Sequence, residues 1–293
     1  MTVKLAPIVV AIGDSMEEDA SLLFASAEAQ RTGRPLLVAH VVRGNVPVAP
    51  HNLLVSYETA GSVGHHLAVH AATRLKVMTK DTVPVETLVP RGGVVDQLVE
   101  LSRTAHMVVM EQRDLTRLQR VFTGSVSGGV AGRSAVEVVV VPELWQPPEG
   151  FINRVVAGVG DWRGANGLFE HAFGVTDEQQ ASLRLVHSWD LPSVYQDSLI
   201  DAMAVEQWRD EVAVQIEAAF AAAHRRHPRV KATVDVMHSR PADALLEASR
   251  DADLMVLGRR DVAHPAVQHA GSLTRALLRV AECPVSVVPR PFD

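Results

Sequence analysis

The residues best suited to chemistry stand between Ala252 and Pro289. An apolar run at 254–257 stops at Gly258. A polar loop follows, then Gly271-Ser272, an amphipathic helix and a last apolar run at Val285–Val288. A strand that empties into a glycine loop and then opens a helix is where α/β proteins hold a phosphate. Glycine lets the backbone approach the anion, and the helix N-terminus offers unused N–H groups.

Other reactive side chains are weaker signals. His65, His66 and His70 form a His-His-x3-His run, and His66 with His70 has the i, i+4 spacing that lets two imidazoles share a metal. No cysteine accompanies them and the nearest acid in sequence is Glu58. A solvated or packed helix face is the plainer reading, and no metal site is expected. His224 and His227 sit where a helix should end, a place that suits cations. His40 and His187 interrupt apolar strands without an acid or nucleophile nearby in sequence, as a histidine with a backbone partner would. Cys283 precedes Pro284 at the start of the last strand and reads as buried and inert. No Gly-x-Ser-x-Gly, P-loop or Gly-x-Gly-x-x-Gly follows any strand, so no catalytic residue is nominated.

Composition narrows the function classes. The chain has 293 residues, enough for one large domain or two ordinary ones. A net charge of −6 argues against nucleic acid or an anionic membrane as the main partner, since both need a basic surface. No apolar run is long enough for a transmembrane helix, and residues 5–12 are too short for a signal peptide. One cysteine permits no internal disulfide, and a cytoplasmic setting is expected.

Around the reactive positions, strands and helices alternate. Strands are expected at 7–12, 35–42, 83–89, 106–110 and 137–141, with helices at 17–32 (ending at Gly33), 57–79 and 94–103 and a further helix opened by Ser125. This alternation implies a parallel sheet with right-handed crossovers. The pattern then begins again. A shift of 147 residues lays Gly13-Asp14 on Gly160-Asp161, His40 on His187, Gly124-Ser125 on Gly271-Ser272 and Pro142 on Pro289. A constant offset over the whole length marks the duplication of one domain. The expected division is 1–142, a linker at 143–153 carrying Pro147-Pro148 and Gly150, and 154–293. Each half suits a five-stranded, parallel, doubly wound sheet.

Several of these segments resemble the universal stress protein family in its tandem form. They are Ile8-Val-Val-Ala-Ile with Val155-Val-Ala-Gly-Val at the first strands and Val38-Ala-His-Val with Leu185-Val-His-Ser at the second. Ser239-Arg-Pro-Ala-Asp-Ala-Leu-Leu and the closing Gly271-Ser-Leu-Thr-Arg-Ala-Leu-Leu-Arg-Val-Ala-Glu-Cys-Pro-Val-Ser-Val-Val-Pro complete the set. The resemblance implies a flavodoxin-like (adenine nucleotide alpha hydrolase-like) sheet of order 3-2-1-4-5 in each half. It also implies that the final strand serves for pairing domains. One branch of the family binds ATP through Gly-x2-Gly-x9-Gly-Ser/Thr after the fourth strand, with an acidic residue at the end of the first; another branch binds none.

Set against that motif, half two has Gly258, Asp261, Gly271 and Ser272, so one glycine has become acidic. Half one has Glu111, Asp114, Gly124 and Ser125, so both early glycines have. A carboxylate about 4 Å from a phosphate at an effective dielectric near 20 repels it by about 4 kcal/mol. Arg259 and Arg260, or Arg113, Arg117 and Arg120 in half one, or a bridging Mg²⁺, would offset the charge. The acidic residues Asp14 and Asp161 stand one position past the family's place, since both halves read Gly-Asp. Without a ligand, Ser125 and Ser272 read as helix N-caps and Asp161 as a turn former. Gly128, Gly129 and Gly132 make a poor helix unless close packing needs them.

The sequence therefore leads to a non-catalytic stress-response or regulatory module with a degenerate adenine-nucleotide site. That site is best kept in half two (Asp161, Gly258, Gly271, Ser272) and eroded in half one (Asp14, Gly124, Ser125), with ATP and Mg²⁺ as the ligand. The competing readings are a protein-interaction scaffold that binds no nucleotide and a weak ATP hydrolase. The apolar fifth strands, 137–141 and 284–288, would be a liability as bare edges, so they are expected to pair antiparallel within the chain. A homodimer and further protein partners are open to it. The loops at 43–56 and 190–198 are expected either to cover a cleft at the strand ends or simply to connect elements.

Overall fold

The computed structural model describes residues 5–16, 19–43, 57–112, 126–147, 153–190, 202–259 and 270–289. They form two compact units, the first reaching Pro147 and including Ala270.

In the first unit, β1 (Ile8–Ile12), α1 (Ala20–Thr32), β2 (Leu36–His40), α2 (Tyr57–Met78), β3 (Val85–Leu88), α3 (Val94–Ser102), β4 (Met107–Glu111), α4 (Val126–Arg133) and β5 (Glu137–Val141) follow in order. β1 pairs with β2 and β4, β2 with β3 and β4 with β5, all parallel. The order is 3-2-1-4-5, as the resemblance implies. β1, Ile-Val-Val-Ala-Ile, is buried at every position, because helices cover both faces of a parallel sheet. Ile8, Val10 and Val38 meet Leu22, Ala25, Leu67, Ala68 and Leu75 in one core. Fully burying a side chain of this size contributes about 1.5–3 kcal/mol, so a polar residue at Val10 would break the layer. α1 stops at Gly33, which takes the left-handed φ of 67°. Within α4, a Cβ on Gly129 would lie 3.1 Å from Val95 of α3, so the close packing that this glycine-rich helix needs is present.

The second unit repeats the plan: β6 (Arg154–Gly158), a short 3-10 turn (Trp162–Gly164), α5 (Asn166–Glu178), β7 (Ser182–Trp189), α6 (Ala202–Arg226), β8 (Lys231–His238), α7 (Pro241–Ser249), β9 (Leu254–Gly258), α8 (Ser272–Val280) and β10 (Val285–Val288). β6 lies between β7 and β9, β7 pairs with β8 and β9 with β10, again all parallel. Its core is more aromatic. Phe169 and Phe173 of α5 are fully buried, with Phe220 of α6 at 6.0 and 5.2 Å between ring centroids. No described helix is long and apolar enough to cross a membrane.

Candidate functional site

In half two Asp161 and Gly258 stand at the carboxyl ends of neighbouring strands, β6 and β9, whose last paired positions are Gly158 and Leu257. β6 runs out into Val159-Gly160-Asp161. The Asp161 carboxylate accepts a hydrogen bond from the Arg163 backbone N–H at 3.1 Å and so caps the 3-10 turn. The turn former expected from the sequence is what Asp161 is. Its side chain is exposed, with the Arg163 guanidinium 4.0 Å away. That guanidinium also lies over the Trp162 ring, 5.2 Å from its centroid. Trp162 in turn meets His187 edge to face at 5.1 Å. The His187 Nδ1 is 2.9 Å from the Val159 carbonyl, which pins the end of β6. Asp161, Trp162, Arg163 and His187 therefore form one contiguous group.

β9 ends at Gly258, and the Arg259 N–H donates to the Val288 carbonyl at 2.9 Å. α8 then begins at Ser272 with Gly271 as its N-cap, in the extended conformation (φ −54°, ψ 161°) and without a side-chain cap. Ser272 is exposed in the first turn and does not cap the helix; this corrects the N-cap reading of that residue. The Arg275 N–H is the first to turn back, reaching the Gly271 carbonyl at 2.9 Å. The amides of Ser272, Leu273 and Thr274 precede the intrahelical ladder. No acidic residue stands in that turn.

Two glycines here are not demanded by the protein itself. A Cβ on Gly160 would have no heavy atom within 4 Å. A Cβ on Gly258 would meet only Leu168 of α5, at the ordinary distance of 3.8 Å. Neither has a φ that L residues avoid. Strand ends bare of side chain let a ligand approach the backbone closely.

Half one differs at the corresponding place. β4 ends at Glu111, whose Oε2 accepts a hydrogen bond from the Ser21 N–H of α1 at 3.1 Å. Ser21 is the counterpart of Leu168. The residue expected to repel a phosphate is thus bonded to the helix beside it. Asp14 is exposed, 3.8 Å from the His40 Nε2, while the His40 Nδ1 is 3.0 Å from the Gly13 carbonyl. Both repeated histidines hold a strand-end carbonyl, as expected, but the carbonyl held in half one lies one position later in the repeat. Gly124, Ser125, Asp114, Arg113, Arg117, Arg120, Asp261 and Arg260 lie outside the described residues, as do nearly all of the two long loops.

Among the described residues no three His, Cys, Asp or Glu side chains gather as a metal site. His224 packs on Phe173 at 5.4 Å. His227 turns its Nδ1 to the Asp177 carboxylate at 3.1 Å, a partner the helix-end argument did not foresee. Cys283 is buried, and burial pushes its thiol up to about 12. Trp162 and Arg163 were missed as well; the available signal was an aromatic and a cation directly after the Gly-Asp pair.

The sequence profile of the Universal stress protein family matches the chain twice, at residues 5–142 and 152–289. A universal stress protein of Mycobacterium tuberculosis is 27% identical over 293 residues, covering 96% of each chain. One from Mycolicibacterium smegmatis is 25% identical over 294 residues, with 96% of each chain covered. Among solved structures, a universal stress protein from Archaeoglobus fulgidus superposes with a TM-score of 0.70 at 18% identity, covering 96% of each chain, and so shares the fold.

Proposed function

The chain belongs to the universal stress protein family, in tandem form, and from that premise we propose that its second half is an adenine-nucleotide-binding regulatory module while its first half binds none. One contrast carries the reading. At equivalent strand ends, half two presents Gly258 with only Leu168 opposite, and half one presents Glu111 bonded to Ser21.

In this reading Gly258, Gly271 and Ser272 hold the phosphates of ATP through backbone N–H groups and the serine hydroxyl. Asp161 keeps lone pairs free for a ribose hydroxyl or Mg²⁺ while it caps its turn. Backbone donors, one hydroxyl and a turn-capping carboxylate make a set that holds an anion, and so the function is binding rather than catalysis. The domain boundaries proposed with it are 1–142 and 154–293, joined by 143–153.

Titrating nucleotide-free protein with ATP and Mg²⁺ tests this. One micromolar site per chain is expected, lost in Gly271→Asp and retained in Glu111→Ala. Absence of heat at millimolar ATP overturns it in favour of a protein-interaction scaffold. ADP and phosphate accumulating slowly in the presence of excess ATP would instead indicate a slow hydrolase.

A further inference from the structure

Helix α2 carries a stripe that the core of its own half does not use. Its buried side runs through Leu67, Ala68, Ala71, Ala72 and Leu75. On the other side Val63, His66, His70, Thr73 and Val77 recur at alternating steps of three and four residues, and all five are exposed. That spacing is the seam by which two helices pack together. Val63 and Val77 are 53% and 75% exposed, and Val69 beside them 41%, which is unusual exposure for β-branched apolar residues on one helix.

At the centre of the stripe stand His66 and His70, one turn apart on the same face, a spacing that sets their Cβ atoms about 5–6 Å apart. Among the described residues neither ring has a hydrogen-bond or ion-pair partner. Two imidazoles at this spacing are half of a tetrahedral zinc site. Among the described residues no third ligating side chain joins them. The missing pair is available from a second copy. A two-fold axis between His66 and His70 brings up His66 and His70 of the partner subunit and completes four nitrogen ligands. It also sets Val63 against Thr73 of the partner subunit, so metal and apolar seam close together.

We propose that a zinc-class divalent ion joins two copies of this chain through His66 and His70 of each. The device belongs to half one alone. The counterpart helix α6 has Ala213 and Glu217 at the equivalent positions, which removes both imidazoles.

The test uses the full chain, stripped of metal, with zinc chloride added, and reads molar mass by light scattering on a sizing column. The mass doubles, at one zinc per two chains, and a chelator reverses the change. His66→Ala and His70→Ala each abolish the doubling. Alanine suits an exposed helix, so both variants keep the wild-type circular dichroism. His65→Ala, which lies off the stripe, doubles as the wild type does. Zinc bound without a change of mass, doubling that survives in His70→Ala, or precipitation alike in wild type and both variants would each overturn the proposal.

Discussion

The Glu111 carboxylate and the Ser21 backbone N–H, ninety residues apart in sequence, form a 3.1 Å hydrogen bond across the end of β4 and the first turn of α1. The natural cap for that turn is Asp19, which occupies the N-cap position yet makes no side-chain cap bond. Its carboxylate pairs with Arg74 of α2 instead, and Arg74 also donates to the Met16 carbonyl at 3.1 Å. Helix α1 is thus capped from a neighbouring strand, by the residue that takes the place of a glycine in the nucleotide motif.

Glu111→Ala should therefore destabilise the protein by about 1 kcal/mol, the usual worth of a helix cap. Glu111→Gln should lose less, since an amide oxygen still accepts the bond while only the charge near the helix N-terminus is removed. Asp19→Ala removes an ion pair whose carboxylate side is mostly exposed and should cost under about 1 kcal/mol. Urea midpoints measured at one pH would order the three variants, and an Ala variant at position 111 as stable as wild type would refute the capping role.

The parts legible in the sequence were those with one repeated cause. Strands buried on both faces read as unbroken apolar runs, which is why Glu137–Val141 and Val285–Val288 stand where expected. The constant 147-residue offset made the duplication visible without any structure. The ends of elements were less legible. α1 begins at Ala20, after the Asp19 cap, and not at 17. The roles of side chains at the site were least legible, because they depend on partners distant in sequence. Nothing in positions 111 and 21 taken separately announces a bond between them, and from sequence Glu111 is legible only as a charge hostile to phosphate. Trp162 and His187 likewise meet only because β6 and β7 are neighbours.

Gly64 shows how closely α2 approaches the sheet beneath His40. A Cβ there would lie 2.7 Å from the His40 Cδ2, 3.0 Å from Val42 and 3.2 Å from Val89. His40 is itself buried and tied to Gly13, so it has little room to yield. Gly64→Ala should cost about 1–3 kcal/mol through overpacking. Gly160→Ala, with open space around its Cβ and no positive φ, should instead stabilise by about 0.4–1 kcal/mol by restricting the unfolded chain. Thermal unfolding of the pair should move in opposite directions; equal shifts would contradict the packing argument.

Asp177 sits between His227 and Arg229 at the C-terminal end of α5. The hydrogen bond from His227 is the main cause holding its carboxyl below the ordinary 3.8; partial burial opposes this, and the Arg229 guanidinium at 3.2 Å adds to the lowering. A depressed carboxyl contributes stability that is fully present above its unfolded value and is lost as pH falls through the folded one. Wild type should thus exceed Asp177→Asn in urea midpoint above pH 3.8, with the gap closing as pH falls below that value. A gap that stays constant into strong acid would show that the carboxylate's charge is not what stabilises this corner.

Cys283 offers a clock for opening of the second half. The residue is 1% exposed, and burial, with a smaller contribution from the nearby charges of Asp253 and Glu282, raises its thiol from 9.0 to about 12. Only the thiolate is nucleophilic. A rise of this size leaves about a thousandfold less thiolate at pH 8 than in the unfolded chain, and the covering core blocks the reagent as well. Iodoacetamide should therefore modify Cys283 at least about a thousandfold more slowly in the native protein than in concentrated urea. Whatever native rate remains should follow the population in which β10 and its lead-in are open, and should rise with each destabilising substitution in half two. A native rate within tenfold of the unfolded one would mean that the strand start at Pro284 opens far more readily than its burial implies.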